Sequence, residues 1–217
     1  MLKALIFDFD GLMIDTEYTW YPIFRNYFVE YHDYDMQMSD FLLCIGGGNE
    51  KFMEVLRKDL GDDFDQAHFA EYKNPAFKVA SSNLPMMIGV ENLIKSAKEA
   101  GLKIAMATSS RHPHAHNHLI RWNILSYFDV VVTGDMVDNL KPHPDLFLKA
   151  LDKLDLEAHE VFVFEDSYNG LLAANSASID AIIVPNEITK HSNFETQFRL
   201  FNSLEEVNVE LLKGFKK

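Results

Sequence analysis

Cysteine is almost absent from this chain, which carries Cys44 alone among its 217 residues. A single thiol cannot form an intramolecular disulfide, so nothing in the sequence points to an oxidising compartment. We expect Cys44 to be a small buried apolar residue rather than a nucleophile. No apolar run approaches the ~20 residues that a membrane span needs, and the N-terminal stretch becomes acidic too soon for a signal peptide. These absences predict a cytoplasmic protein that makes no contact with a membrane.

Basic residues are also scarce, because 20 Lys and Arg stand against 33 Asp and Glu, for a formal net charge of −13. A chain this acidic is repelled by phosphate backbones, so we expect no nucleic-acid partner. The hydrophobic fraction of 47% is ordinary for a globular protein that buries a core. An anionic substrate would need a local positive feature, such as a metal ion or a few well-placed lysines.

Five short apolar runs have the nearly continuous hydrophobicity of strands that are covered on both faces. They are Ala4–Phe9, Lys103–Thr108, Val130–Thr133, Val161–Glu165 and Ala181–Val184. Helical patterns over about 90–100, 113–122, 144–154 and 168–177 separate the later runs. This alternation predicts an α/β fold, with a doubly wound parallel sheet.

A long gap separates the first two runs and holds no convincing strand. Apolar residues recur there at helical spacing, as at Trp20, Phe24 and Phe28, and we interpret them as a helix–helix core rather than a substrate-facing surface. We predict a helical insert over residues 15–84, within an α/β core formed by 1–14 and 85–217. The three glycines at 46–48 are predicted to form a turn, because no strand precedes them and no Gly-Lys-Ser/Thr follows.

Polar side chains follow four of the predicted strands, at the edge of a parallel sheet where ligands bind. They are Asp8, Asp10 and Gly11; Thr108, Ser109 and Ser110; Thr133, Gly134, Asp135 and then Lys141; and Glu165, Asp166 and Ser167. Four carboxylates at one point cannot all be ionised without a cation. Oxygen ligands suit a hard cation such as Mg²⁺, which one or two carboxylates and a substrate phosphate commonly hold.

Such a site suits phosphoryl transfer. Asp8 is the candidate nucleophile, and Asp10 lies on the same side of an extended chain, where it can serve as acid and base. Lys141 and the Thr108 hydroxyl are the candidates to hold the phosphoryl oxygens. Each signal is weak alone, since Asp-x-Asp pairs are common in surface turns and Thr-Ser-Ser is a common helix cap. Their order and their strand-end positions together give the hypothesis its specificity.

Four motifs in this order resemble those of the haloacid dehalogenase superfamily, in the branch whose helical cap follows the first motif. They are Asp8–Thr16, Ala107–Ser110, Lys141–Asp145 and Glu165–Gly170. The resemblance implies a sheet order of 3-2-1-4-5, with a cap that closes over the site. It also implies Mg²⁺ bound by Asp8, the Asp10 carbonyl and Asp166, with Glu165 nearby. Thr108 and Lys141 would hold the phosphoryl group, and Ser109 and Gly11 are further phosphate-binding candidates.

The superfamily includes several chemistries that these residues help to separate. Its dehalogenases and phosphonatases lack the second aspartate of the first motif, which is present here as Asp10. The β-phosphoglucomutases carry a histidine in the linker to the cap, and the matching position here is Trp20. The contest is therefore between a phosphatase and a mutase.

A mutase must also hold a bisphosphorylated intermediate, for which cationic cap residues are needed. The arginine of the mutases is missing after the three glycines, where Asn49 and Glu50 follow. A late cap lysine of the mutases falls at Ala76, although Lys73 and Lys78 are close enough to replace it. We therefore expect a phosphatase of small phosphate monoesters, such as sugar phosphates or similar metabolites. A hexose phosphate mutase and a catalytically silent binding protein remain the alternatives. A cap of this size can shield the site without a partner, so we expect a monomer.

Two further features concern the predicted helices. His112, His114, His116 and His118 form pairs at helical spacing on different faces, and we favour a solvated surface over a zinc site. His112 is the most interesting of the four because it lies nearest the Thr108 loop. Ser178 follows the last helix where the family usually has glycine, which predicts a helix end without a left-handed residue.

Overall fold

The computed structural model describes residues 1–46, 50–61 and 64–216, without the side chains of Cys44, Glu50 and Lys51. The predictions for the Cys44 side chain, for residues 47 and 48 of the glycine turn and for Asn49 lie outside the described residues.

A parallel sheet forms the centre of the α/β part of the chain. Its strands are β1 (Ala4–Phe7), β2 (Lys103–Ala107), β3 (Val130–Val132), β4 (Val161–Glu165), β5 (Asp180–Ile183) and β6 (Arg199–Leu200). Their spatial order is β3-β2-β1-β4-β5-β6, and every pairing is parallel. The predicted fold class and the predicted order of five strands are confirmed. The two-residue β6 was not predicted, because its side chains are exposed and too few to form a pattern.

Helices surround this sheet and fill the gap after β1. They are α1 (Glu17–His32), α2 (Met38–Phe41), α3 (Glu50–Leu60), α4 (Gln66–Ser81), α5 (Val90–Glu99), α6 (His112–Arg121), α7 (Asp145–Leu154), α8 (Tyr168–Ser176) and α9 (Val209–Phe215). Short 3-10 turns occupy Leu42–Cys44, Leu125–Tyr127, Gly134–Met136, Ala158–Glu160, Thr189–His191 and Leu204–Glu206. Within the described residues, no helix combines the length and the apolar character needed to cross a bilayer.

The core lies on both faces of the sheet, because side chains alternate along each strand. In β1, Leu5 and Phe7 join a cluster with α5, α6 and α9, whereas Ala4 and Ile6 join a second cluster with α7 and α8. Burial on both faces explains why the strands read as unbroken apolar runs.

A third cluster, which we call the aromatic cluster, holds the first four helices together. Its buried members include Phe24, Tyr27, Phe28 and Phe69, and Ile188 joins them from the chain after β5. Their burial agrees with packing as the main role of the aromatic pattern. Ile14 and Met86, which flank the predicted insert, form an antiparallel bridge. The boundaries of the insert and the core stay a prediction.

The end of α8 differs from the sequence expectation. Ser178 adopts the left-handed conformation itself, with φ of 60°. Its amide donates to the Asn175 carbonyl at 2.9 Å, and the Ile179 amide donates to the Ala174 carbonyl at 2.9 Å. The expectation that this helix end lacks a left-handed residue is therefore wrong, because serine takes the conformation that glycine adopts more readily.

Candidate active site

Asp8 lies directly after β1 and faces a buried lysine. Lys141 Nζ contacts Asp8 Oδ1 and donates to Glu165 Oε1 at 2.6 Å and to the Ala107 carbonyl at 2.9 Å. All three charged side chains are almost completely buried. Burial acts to lower the pKa of Lys141, but the attraction of Asp8 and Glu165 outweighs it and raises that pKa. Lys141 is therefore a fixed cation beside the candidate nucleophile.

Glu165 is held at the start of α8. Its Oε2 accepts hydrogen bonds from the Asp166 amide at 3.1 Å, the Ser167 amide at 3.2 Å and Ser167 Oγ at 3.0 Å. Ser167 Oγ also accepts from the Gly170 amide at 3.0 Å, which caps the helix. A Cβ at Gly170 would lie 1.9 Å from the Glu165 carboxyl carbon, so only glycine allows the helix to approach this closely.

Asp166 completes a group of three carboxylates. Asp8, Glu165 and Asp166 each offer one oxygen within 4.8 Å of the others. Asp166 Oδ1 is buried and has no hydrogen-bond partner within the described residues, although its Oδ2 accepts from Asn186 Nδ2 at 2.9 Å. An oxygen-only group with an unpartnered buried atom fits a hard divalent cation.

The charges in this group support the same conclusion. Burial raises the pKa of Asp8 to about 8, against the lowering effect of Lys141. Burial, followed by repulsion from Glu165 and Asp8, raises the pKa of Asp166 well above its ordinary value. One lysine does not balance the buried carboxylates, and a divalent cation would favour their ionised forms.

The Asp10 carboxylate turns toward different partners. Its Oδ2 accepts from Ser110 Oγ at 2.6 Å and from Thr108 Oγ1 at 3.3 Å, while His114 Nε2 lies 3.1 Å from Oδ1. Burial works to raise the pKa of Asp10, but hydrogen bonds led by that from His114 outweigh it and lower the pKa. The structure thus separates the Asp10 side chain from the three clustered carboxylates, and cation binding by Asp10 remains a prediction for its carbonyl oxygen.

The predicted phosphate-binding residues lie around the same point. Thr108 is buried after β2, and Ser109 Oγ donates to the Gly46 carbonyl at 3.3 Å. The Gly11 amide donates to the Ile14 carbonyl at 2.8 Å. Gly11 has φ of +82°, and a Cβ added there would lie 2.2 Å from Asp166 Oδ2. This steric requirement explains a glycine at position 11 without any phosphate contact. Phosphate binding by these residues stays a prediction.

A cavity of about 520 Å³, which we call the reaction cavity, opens over Asp8. Its polar and charged lining residues are Asp8, Asp10, Glu17, Lys73, Asn74, Thr108, Ser109, Ser110 and Arg111. The other lining residues are Trp20, Phe24, Phe41 and Gly46. Trp20 and Phe24 thus combine packing with a position at the site, whereas Lys78 lines a neighbouring cavity. Tyr21 packs against Phe41 and donates to the Met36 carbonyl at 3.4 Å.

Comparison with known proteins identifies the family. The family described as haloacid dehalogenase-like hydrolase matches residues 5–184. The chain belongs to this family. The hydrolase is 35% identical to the "Putative phosphatase YhcW" of Bacillus subtilis (strain 168) over 214 residues, which cover 98% of this chain and 96% of that protein. It is 34% identical to the phosphorylated carbohydrates phosphatase of Thermotoga maritima over 185 residues, covering 83% and 84%.

A solved structure is also similar over nearly the whole chain. A mutant of CbbY from Rhodobacter sphaeroides, in complex with xylulose-(1,5)-bisphosphate, is 31% identical, with a TM-score of 0.78. The alignment covers 95% of this chain and 96% of that one. The family and its relatives confirm that the chain is an enzyme of the phosphoric monoester hydrolase class.

The histidines of α6 differ in role from the sequence expectation. The His112 amide donates to Asp135 Oδ1 at 3.0 Å, and its ring stacks on His116 with centroids 4.5 Å apart. His114, not His112, reaches the site through Asp10. The expectation of a solvated surface is therefore wrong for His114, which contacts Asp10, and for the buried His118. Nearness in sequence to Thr108 singles out His112, but the side chain that faces the site is that of His114, two residues later.

Sequence reasoning missed two other buried residues of the hydrolase. Asn186 donates to Asp166 and to the Gly11 carbonyl at 3.0 Å. It follows β5, so extending the strand-end rule to the fifth strand would have found it. Glu17 lines the reaction cavity at the start of α1, where burial and then repulsion from Asp10 raise its pKa well above the ordinary value. No sequence signal distinguished Glu17 from other acidic residues in a first helical turn.

Proposed function

We propose that this hydrolase is a Mg²⁺-dependent phosphatase of small phosphate monoesters, sugar phosphates in particular, which works through an aspartyl-phosphate on Asp8. The observation that carries the proposal is the position of Asp8, buried beside Lys141 and two further carboxylates below the reaction cavity. Two relatives support the substrate class: the phosphorylated carbohydrates phosphatase of Thermotoga maritima and CbbY in complex with a sugar bisphosphate.

The cation would be held by Asp8, Asp166 and the Asp10 carbonyl, with Glu165 beside them. Bound there, Mg²⁺ supplies positive charge that neutralises the transferring phosphoryl group. Asp8 attacks phosphorus, and the bond from phosphorus to the ester oxygen breaks. Lys141 and Thr108 hold the equatorial oxygens, where negative charge is concentrated in the transition state.

Asp10 serves both half-reactions in this mechanism. It gives a proton to the departing ester oxygen, which leaves as an alcohol. It then takes a proton from a water molecule that attacks the aspartyl-phosphate, so that inorganic phosphate is released and Asp8 is regenerated. The helical insert closes on hinges near 14–17 and 84–87, which excludes water from the first step. The insert supplies walls of the cavity from the same chain, so the hydrolase acts as a monomer.

Replacement of the nucleophile tests the mechanism. We expect Asp8→Asn to abolish Mg²⁺-dependent hydrolysis of p-nitrophenyl phosphate, because an amide cannot attack phosphorus as a carboxylate does. Asp180→Asn is the matched control, since Asp180 is exposed at the start of β5 and pairs with Lys216. Circular dichroism of both variants checks the fold. Near-normal turnover by folded Asp8→Asn would overturn the nucleophile assignment.

A hexose phosphate mutase is the second candidate. Lys73 lines the reaction cavity, where it could hold a second phosphate in place of the cap lysine of the mutases. The β-phosphoglucomutase of Clostridium difficile has a similar structure, with 25% identity, a TM-score of 0.81 and coverage of 99% and 96% of the two chains. Incubation with β-glucose 1-phosphate and a little bisphosphate separates the candidates, because a mutase forms glucose 6-phosphate and a phosphatase releases free phosphate.

A further inference from the structure

His114 lies in the first turn of α6 and reaches the Asp10 carboxylate. Its Nε2 is 3.1 Å from Asp10 Oδ1. Nε2 can donate to Oδ1 whether Asp10 is ionised or carries its acid proton on Oδ2, so the contact is compatible with both forms of Asp10. The opposite oxygen of Asp10 accepts from Ser110 at 2.6 Å. Bonds to both oxygens fix the plane of the carboxylate, which a bond to one oxygen alone would leave free to rotate.

The imidazole ring is held by packing on two sides. The ring of Phe9, from the first motif, meets it edge-on with centroids 5.5 Å apart and an interplanar angle of 81°. The ring of Phe77, from α4 of the helical insert, lies 5.5 Å away at 51°. Phe77 in turn stacks on Trp20 at 3.6 Å, and Trp20 lines the reaction cavity. The position of the His114 ring is therefore set jointly by the sheet and by the insert.

We propose that His114 is a positioning residue, which orients the Asp10 carboxyl group for proton transfer to the leaving oxygen. This rests on the proposed function, in which Asp10 is the acid and base. Hydroxyl donors such as Ser110 and Thr108 can turn about their own bonds, whereas a ring clamped between two aromatic residues keeps its donor in one direction. The chain thus uses a histidine of α6 to hold Asp10.

The test compares two substrates that differ in their need for a proton. An alkyl phosphate such as glucose 6-phosphate expels a poor leaving group, while p-nitrophenyl phosphate expels a stable phenolate. The kcat/KM value reports the steps up to phosphorylation of Asp8. We expect His114→Ala to lower kcat/KM for glucose 6-phosphate by about 10–100-fold, a part of the effect of a full acid catalyst. The loss for p-nitrophenyl phosphate should be less than about 3-fold, since little protonation is needed.

Matched variants make the result decisive. His116→Ala removes the same side chain from the same helix, but His116 stacks on His112 and away from Asp10, so both substrates should react as with the wild type. His114→Gln restores an N–H donor and should recover part of the loss for glucose 6-phosphate. Thermal unfolding of each variant shows whether the fold is intact.

Two outcomes would overturn the proposal. Equal losses for both substrates would mean a merely structural role, and no loss for either would mean no role. Failure of the proposed function is distinguishable, because the wild type would then lack Mg²⁺-dependent turnover or Asp8→Asn would keep it. Asp10→Asn shows the effect of removing the acid itself. We expect it to lower kcat/KM for glucose 6-phosphate more than His114→Ala does, and more than it lowers kcat/KM for p-nitrophenyl phosphate.

Discussion

The side-chain amide of Asn186 is engaged at both ends. Its carbonyl oxygen accepts from the amides of Ile188 and Thr189, each at 2.9 Å. An amide group has one acceptor end and one donor end, so these bonds direct its NH₂ group at Asp166 and the Gly11 carbonyl. Asp166 is therefore oriented by a residue that does not itself belong to the carboxylate group, and its Oδ1 remains available for a cation.

Removal of this amide should weaken cation binding. We expect Asn186→Ala to lower Mg²⁺ affinity by about 10–100-fold, as is usual when a ligand loses its orienting partner. It should also cost about 1–3 kcal/mol of folding free energy for each buried group left without a partner. The measurement is the rise of Tm with Mg²⁺, which reports binding independently of catalysis.

Asn175→Ala is the control for that experiment. Asn175 is exposed on α8, and its amide donates to Thr196 at 2.7 Å, away from the carboxylates. Its Mg²⁺ response should match that of the wild type. If Asn186→Ala also responded as the wild type does, the orienting role would be excluded.

At the residue scale, part of the candidate site could be predicted from the sequence and part could not. Asp8, Lys141 and Asp166 could be predicted to meet, because parallel strands bring the residues after them to one edge. The inward position of His114 could not, because it depends on where α6 begins and on its rotation against Phe9. A shift of one or two residues in a helix start changes which side chain faces the site.

Among the elements, α8 begins beside the buried carboxylate of Glu165 and is followed, two residues after its end, by the strained Ser178. The left-handed conformation costs a residue with a Cβ roughly 1–2 kcal/mol more than it costs glycine. Replacing Ser178 by glycine would remove this cost, but the greater freedom of glycine in the unfolded chain would offset part of the stabilisation. The end of this helix is therefore a place where the fold is less stable than it could be.

Glycine at that helix end should stabilise the protein. We expect Ser178→Gly to raise the free energy of unfolding by about 0.5–1 kcal/mol, or Tm by about 1–4 °C. Ser176→Gly, two residues earlier within α8, should instead lower the free energy by about 0.5 kcal/mol. Urea unfolding measures both. Destabilisation by Ser178→Gly would show that the serine side chain contributes more than the strain costs.

The elements were predictable where they were long or buried. α7 was expected over 144–154 and occurs at Asp145–Leu154, because its apolar residues repeat with the period of a helix. β6 has two exposed residues and depends on pairing with β5, which is a tertiary contact. A pattern of side chains cannot reveal a strand whose stability comes from its neighbour.

For the whole molecule, the buried His118 should make folding stability depend on pH. Burial, followed by repulsion from His114 and Arg121, lowers the pKa of His118 to about 4. Arg121 donates to its Nδ1 at 3.0 Å, which requires the neutral ring. In the unfolded chain the pKa is about 6.5, so acid favours unfolding.

The sign of the pH effect follows from that difference. The folded pKa is depressed, so the stability contributed by neutral His118 is present above about pH 6.5 and is lost as the pH falls toward about 4. Between about pH 7.5 and about pH 5 the loss should be about 2 kcal/mol. Urea unfolding of the wild type and His118→Gln at both pH values isolates this residue. An equal decline in both proteins would exclude the assignment.

The global architecture could be predicted from the sequence because the local patterns of the strands and helices agree with the overall fold. Alternating strands and helices predicted the parallel sheet, and the gap after β1 predicted the helical insert. The packing of the insert against the rest of the chain was not accessible, because it includes contacts between residues far apart in sequence. Ile188 in the aromatic cluster is an example.

Ile188 has a practical consequence for the design of chimeric enzymes. It is buried among the aromatic residues of the insert and lies two residues after Asn186, whose side-chain oxygen Oδ1 accepts from the Ile188 amide. An engineer who exchanged the insert for that of a relative would remove the apolar partners of Ile188. The segment after β5 would then lose the packing that holds Ile188 and, with it, Asn186. Asp166 would lose the orienting hydrogen bond from Asn186 although every carboxylate was retained. A transplant should therefore carry residues 186–191 together with the new helices.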